Sequence, residues 1–230
     1  MSFEIKKFSN DVELAEAAAK EWAALATKSA RHLVALSGGR IAKAFYASAV
    51  KCGKFSNVDF FWADERCVSP DNTESNFFLA NEGLFKPLKI EATRIHRLRG
   101  ELEPSSAVKA ANDEIERITQ KNIRGFPILD LVVLGLGEDG HVASLFPNAS
   151  QEVINCRAPF LSVANSPKPP PERLSLSFGA IAAAKEVWVL AAGAGKETAL
   201  RESLKPEGKT SLARVLRMRD TTKIFTDIQI

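Results

Sequence analysis

Residues 130–147 read DLVVLGLGEDGHVASLFP. The apolar run at 131–134 has the unbroken hydrophobicity of a strand buried on both faces of a parallel sheet. Gly135, Gly137 and Gly140 then turn the chain sharply, and Glu138, Asp139 and His141 lie inside or just past the turn. In open α/β sheets, ligands bind at the carboxyl ends of the strands. His141 is one of three histidines in the chain. An imidazole with an unperturbed pKa of about 6.5 takes up or releases a proton near neutrality. The glycines let a substrate approach the backbone closely.

The same glycines spell G-x-G-x-x-G, the dinucleotide fingerprint. Its context argues against that use. Glu138 and Asp139 would stand where a pyrophosphate must sit, and the next expected strand, near 160–164, ends in Asn165 rather than an acid. A plainer alternative is that the glycines only turn the chain, while His141 caps a helix or fills a core hydrogen bond. The adjoining Asp, Glu and three glycines favour chemistry over that reading.

Outward from this stretch, strands are expected at 32–36, 58–62, 94–98, 160–164, 186–191 and 222–225. Helices are expected over about 11–28, 41–50, 73–84, 104–120 and 195–203. Ser9, Asn10 and Asp11 offer caps to the first helix, and Pro104 suits a first helical turn. The alternation predicts an α/β fold with a mostly parallel sheet covered on both faces. The proline-rich stretch NSPKPPP at 165–171 reads as a rigid loop rather than a linker, because strands resume on both sides. The 230 residues are therefore read as one domain, 1–230.

Composition narrows the function. Hydrophobic residues make up 45% and charged residues 26%, ordinary for a globular protein. A formal charge of +3 without any run of five basic residues gives no footprint for nucleic acid, yet suits an anionic small substrate. Cys52, Cys67 and Cys156 are odd in number and far apart, which points to a reducing compartment. Neither they nor His32, His96 and His141 have zinc-ligand spacing, so no metal is expected. The polar N-terminus is unlike a secretory signal, and no apolar run is long enough for a membrane span. The expected location is the cytoplasm.

Further motifs follow predicted strands. Ser37-Gly38-Gly39 opens a helix, where free backbone N–H groups make an anion site. It resembles a nucleophile elbow, but the first glycine is missing. Asp64-Glu65-Arg66 joins two carboxylates to a guanidinium and can orient a histidine, hold sugar hydroxyls or bind phosphate. The alternative for that trio is a solvated ion pair. Asp71 to Asn76 is dense in hydrogen-bonding side chains. Arg173 follows the proline loop, and Lys196 follows Gly193-Ala194-Gly195. The latter is no Walker A motif, since Leu190 and Glu197 occupy required Gly and Ser/Thr positions. It can still bind one phosphate, or be a surface lysine after a flexible turn.

Taken together, these pieces resemble the 6-phosphogluconolactonase family, within the wider glucosamine-6-phosphate isomerase/lactonase group. The matching stretches are LSGG at 36–39, ADERCVSPDNTESNF at 63–77, LGLGEDGHVASLFP at 134–147, SPKPPPERLSLSF at 166–178 and AGAGK at 192–196. The amino-sugar deaminase branch carries an acid shortly after DGH. This chain has none from 142 to 147, and its Asp64-Glu65-Arg66 fits the lactonase pattern. One departure stands out: Arg40-Ile41-Ala42 replaces the usual Ser/Thr-Thr-Pro.

The resemblance implies a three-layer α/β/α sandwich with a Rossmann-like sheet. It implies hydrolysis of 6-phospho-D-glucono-1,5-lactone to 6-phosphogluconate in the pentose phosphate pathway, without a cofactor. His141 would be general base and then acid, with Asp139 or Asp64 as the two candidates to orient it. Ser37, Gly38, Gly39, Arg40, Arg66, Arg173 and Lys196 are the phosphate candidates. The expected partner is the sugar-phosphate lactone alone, with no nucleic acid or membrane, and the chain a monomer or weak homodimer. An isomerase or deaminase on a hexosamine phosphate, and a binding sensor without turnover, are the alternatives. An intact His141 beside Asp139 speaks against the sensor.

Overall fold

The computed structural model describes residues 2–53, 55–120 and 124–230. In chain order the strands are β1 (Glu4–Lys7), β2 (His32–Leu36), β3 (Val58–Trp62), β4 (Asp64–Arg66), β5 (Leu131–Gly135), β6 (Phe160–Val163), β7 (Arg173–Leu176), β8 (Glu186–Ala191) and β9 (Lys223–Thr226). The helices are α1 (Asp11–Ala26), α2 (Arg40–Cys52), α3 (Asn76–Ala80), α4 (Lys86–Leu88), α5 (Pro104–Ile118), α6 (Gln151–Ile154), α7 (Phe178–Ala183), α8 (Glu197–Leu204) and α9 (Ser211–Arg217).

Six strands form one wholly parallel sheet in the order β1-β9-β8-β5-β2-β3. The run VDFFW of β3 is buried at every position, as a parallel strand covered on both faces must be. Strands β2 and β3 follow one another rightward, whereas β5, β8 and β9 progress leftward. Right-handed crossovers in opposite directions put their helices on opposite faces. Accordingly α1 packs along α2, while α9 packs on α7 and α8. Trp22 of α1 fixes the first layer, with ring centroids 5.3 Å from Phe45, 4.2 Å from Phe55 and 6.2 Å from Phe60. The direction reverses between β2 and β5, and a crevice opens beyond their carboxyl ends.

Three expectations need correction. Residues 160–164 do form a strand, β6, but in a separate antiparallel sheet ordered β4-β7-β6. Residues 94–98 make only a single bridge, Ile95 to Phe60, after a 3-10 turn at Ala92–Arg94. There Arg94 and His96 turn to the buried carboxylate of Asp59 rather than extend a ladder. The helix expected at 73–84 starts only at Asn76, where Ser75 Oγ accepts from Phe78 N–H at 3.1 Å, and widens into a π-turn at Asn81–Phe85. Strands β1, β4 and β7 and helices α4, α6, α7 and α9 are additions to the predicted elements. They are three to seven residues long, too short to show a period.

Candidate active site

The glycine turn after β5 is shaped around an imidazole–carboxylate pair. Asp139 Oδ1 lies 2.5 Å from His141 Nδ1 and also accepts from the His141 backbone N–H at 3.2 Å. The turn closes through Gly137 N–H to His141 O at 2.9 Å and Gly140 N–H to Gly137 O at 3.0 Å. Burial works against ionisation of Asp139, but the charge of His141 and its hydrogen bonds prevail and hold the carboxyl below its usual range. Bonding at Nδ1 leaves Nε2 as the nitrogen able to exchange a proton with a ligand. The Phe146 ring packs 4.9 Å from the imidazole, centroid to centroid.

This imidazole faces a cleft of about 640 Å³. His141, Asp64, Ser37, Gly38, Gly39, Arg40, Arg66, Arg173 and Lys196 all line it. Asp139 is set back from the wall, bonded to His141. Of the two carboxylates proposed to orient the histidine, Asp139 touches it. Asp64 Oδ2 instead accepts from Ser144 Oγ at 2.7 Å, and Asp64 Oδ1 from Asn76 Nδ2 at 3.2 Å.

The β2 turn is built by close approach. A Cβ on Gly38 would lie 1.8 Å from Asn76 Oδ1, so a side chain there would force Asn76 from its bonds to Asp64. Ser37 Oγ donates to Val133 O at 2.8 Å, stitching β2 to β5. Gly39, at φ +94°, starts α2 without any side-chain cap, and no acid stands in the first turn. The amide groups of that turn thus keep their capacity for an anion.

The Asp64-Glu65-Arg66 trio divides its labour. Glu65 is buried and does not enter the cleft. Its carboxylate accepts from the backbone N–H groups of Arg66, Asn76 and Phe77 at 2.7, 2.7 and 2.8 Å, and from Ser75 Oγ at 3.0 Å. Burial raises its pKa against those four bonds. Arg66 donates to Glu74 O and keeps a buried Nε without a partner among the described residues.

Arg173 stands opposite Arg66 in the β4–β7 register. It is only 5% exposed and holds the proline loop: Nε donates to Pro170 O at 2.8 Å, Nη2 to Lys168 O at 3.0 Å and Pro169 O at 3.1 Å. Burial, then the like charge of Arg66, pulls its pKa down. Like charges paired across strands repel, and an anion in the cleft relieves that repulsion. Lys196 Nζ lies 3.6 Å from Glu138 Oε1, and the guanidinium of Arg40 extends over Gly193.

Asn76, Glu138, Phe146 and Lys168 also line the cleft, and Ser144 supports Asp64. None of these had a role assigned from the sequence, although Glu138 stood out as a carboxylate in the glycine turn and Asn76 as the end of the polar run from Asp71. Among the described residues, no cluster of three or more His, Cys, Asp or Glu is placed to hold a metal ion, and no helix is long and apolar enough to cross a membrane.

A sequence profile described as glucosamine-6-phosphate isomerases/6-phosphogluconolactonase matches residues 9–224. The chain is 34% identical over 224 residues to a probable 6-phosphogluconolactonase 3, chloroplastic, of Oryza sativa subsp. indica, covering 89% of this chain and 66% of that protein. It is 36% identical over 148 residues to a 6-phosphogluconolactonase of Treponema pallidum, covering 64% of this chain and 59% of that protein. The alignments thus span less than two thirds of these curated relatives' own length. Among solved structures, a 6-phosphogluconolactonase from Trypanosoma brucei superposes with a TM-score of 0.86 at 26% identity, covering 97% of this chain and 95% of that one.

Proposed function

Because the chain belongs to the glucosamine-6-phosphate isomerase/6-phosphogluconolactonase family, we propose that it hydrolyses 6-phospho-D-glucono-1,5-lactone to 6-phospho-D-gluconate. That is the lactone-opening step of the oxidative pentose phosphate pathway. The observation that carries the reading is the His141–Asp139 pair, 2.5 Å apart, with His141 on the wall of a cleft lined by several cations and Asp139 behind it.

In this mechanism, His141 Nε2 takes a proton from a water molecule as its oxygen adds to the lactone carbonyl carbon. Asp139 holds Nδ1–H in place and stabilises the imidazolium that forms. As the tetrahedral intermediate collapses, the bond from that carbon to the ring oxygen breaks. The imidazolium returns its proton to the departing oxygen. The 6-phosphate is held by the open amides at the start of α2 together with Arg40, Arg66, Arg173 and Lys196. No step requires a metal or an organic cofactor.

The absence of an acid from 142 to 147 favours hydrolysis over the deaminase chemistry of the same family. The reading takes the chain as one domain, in line with a buried apolar cluster that, among the described residues, is shared by both sheets. It also takes the protein as a monomer or weak homodimer in the cytoplasm, with neither nucleic acid nor membrane as partner.

The test is turnover of the phosphorylated lactone above its spontaneous opening, beside glucosamine 6-phosphate as an alternative substrate. We expect acceleration of the first and none of the second, unchanged after exhaustive chelation. No acceleration of lactone opening defeats the proposal. Loss on chelation with recovery on adding one divalent metal defeats its metal-free form.

A further inference from the structure

The turn GEDG presents two adjacent carboxylates to different partners. Asp139 serves His141, as described. Glu138 reaches the β8 turn instead: its Oε1 lies 3.6 Å from Lys196 Nζ. It also rests close against Gly195, where a Cβ would come within 3.3 Å of the same oxygen. An internal carboxylate therefore stands beside Lys196 on the wall of the cleft. Its side chain is 65% exposed, so it is only loosely held there. At Gly193 in the β8 turn, the Arg40 guanidinium lies 2.6 Å from the position of a Cβ, while the Asp227 carboxylate accepts from the Gly193 N–H at 2.8 Å.

We propose that Glu138 is a resident counter-ion of Lys196, a specificity-setting residue that an incoming phosphate must displace. This rests on the reading of Lys196 as a phosphate ligand. A monoanionic carboxylate held by one long ion pair yields to a phosphate dianion that engages Lys196 and Arg40 together. A weaker anion does not displace it as readily. When the phosphorylated product leaves, Glu138 recaptures Lys196. Glu138 thus lowers affinity for phosphate-bearing ligands and helps the product depart.

The experiment is calorimetric titration of inorganic phosphate into the whole protein at fixed ionic strength. The proteins compared are wild type, Glu138→Gln, Glu138→Ala, Lys196→Ala and the Glu138→Gln/Lys196→Ala double variant. An exposed ion pair is a weak competitor, so both Glu138 variants should bind phosphate roughly two- to five-fold more tightly. Lys196→Ala should weaken binding by about ten-fold or more. In the Lys196→Ala background, Glu138→Gln should bring no further tightening.

Unchanged or weaker phosphate binding in the Glu138 variants, while Lys196→Ala weakens it, overturns this inference alone. Equal tightening with and without Lys196 also overturns it, by showing a general charge effect. Phosphate binding unaffected by Lys196→Ala refutes the phosphate-site reading itself, and the role of Glu138 with it.

Discussion

Gly137 has no room for a side chain. A Cβ there would lie 2.0 Å from His141 Nδ1 and 2.5 Å from Asp139 Oδ1. Gly137→Ala must therefore push the pair apart, and a displacement near 1 Å in catalytic geometry costs about 10²-fold in rate. We expect kcat to fall by roughly that factor while the protein remains folded by circular dichroism. A second comparison separates the two carboxylates. Asp139→Asn should lower kcat by roughly 10²-fold or more with KM little changed, since only the orientation and charge of the base are lost. Asp64→Asn should act mainly on stability, because Asp64 is buried and bonded to Ser144 and Asn76. Steady-state kinetics beside thermal melts checks both. His141 and Asp139 stood out in the sequence because they are two residues apart in a glycine turn, but Asp64 remained an equal candidate for the partner of His141. The Asp64–Asn76–Ser144 contacts were not legible, because they join residues 12 and 80 positions apart. Only the folded chain brings those together.

The outer strand β3 shows how an element is secured, and why the segment after α4 is no strand. Asp59 of β3 accepts from Arg31 Nε at 2.9 Å and Nη2 at 2.8 Å, and from Arg94 Nη1 at 3.0 Å. His96 Nε2 lies 3.0 Å from Asp59 Oδ1, and His96 Nδ1 lies 2.8 Å from Glu114 Oε1 of α5. The imidazolium thus ties the strand to a helix from the opposite layer, with Phe61 stacked on it at 4.6 Å. Burial lowers the pKa of His96, but the two carboxylates outweigh it and raise the pKa above the ordinary value. A raised folded pKa stabilises the fold fully below the unfolded value of about 6.5, and that contribution is lost as pH rises through the folded value. Asp59 and Glu114 have lowered pKa values. Their contribution fades as pH falls below about 4. His96→Gln should accordingly cost more stability at pH 5.5 than at pH 9, measured by denaturant midpoints. An equal loss at both pH values would show that His96 acts here by packing alone. None of this was legible from local pattern, since the short run at 94–98 imitates a strand while Arg94 and His96 serve a charge network.

Across the whole molecule, the alternation of apolar runs with helical stretches foretold the parallel sheet. The order of its strands was not foretold. Pairing β5 with both β2 and β8 depends on crossover geometry rather than on local pattern. That order matters for function, because it puts the turns after β2, β5 and β8 side by side at the reversal point. The small antiparallel sheet then adds Arg66 and Arg173 from the other side of the cleft. His141 thereby shares one cleft with cations drawn from four separate stretches of chain. The central claim is that His141 drives lactone opening there. Its most direct measurement is kcat on the phosphorylated lactone, corrected for spontaneous opening, for wild type and His141→Ala. The account predicts a fall of roughly 10²–10⁴, with melting temperature and phosphate affinity retained. A variant that still turns over at the wild-type rate would contradict it.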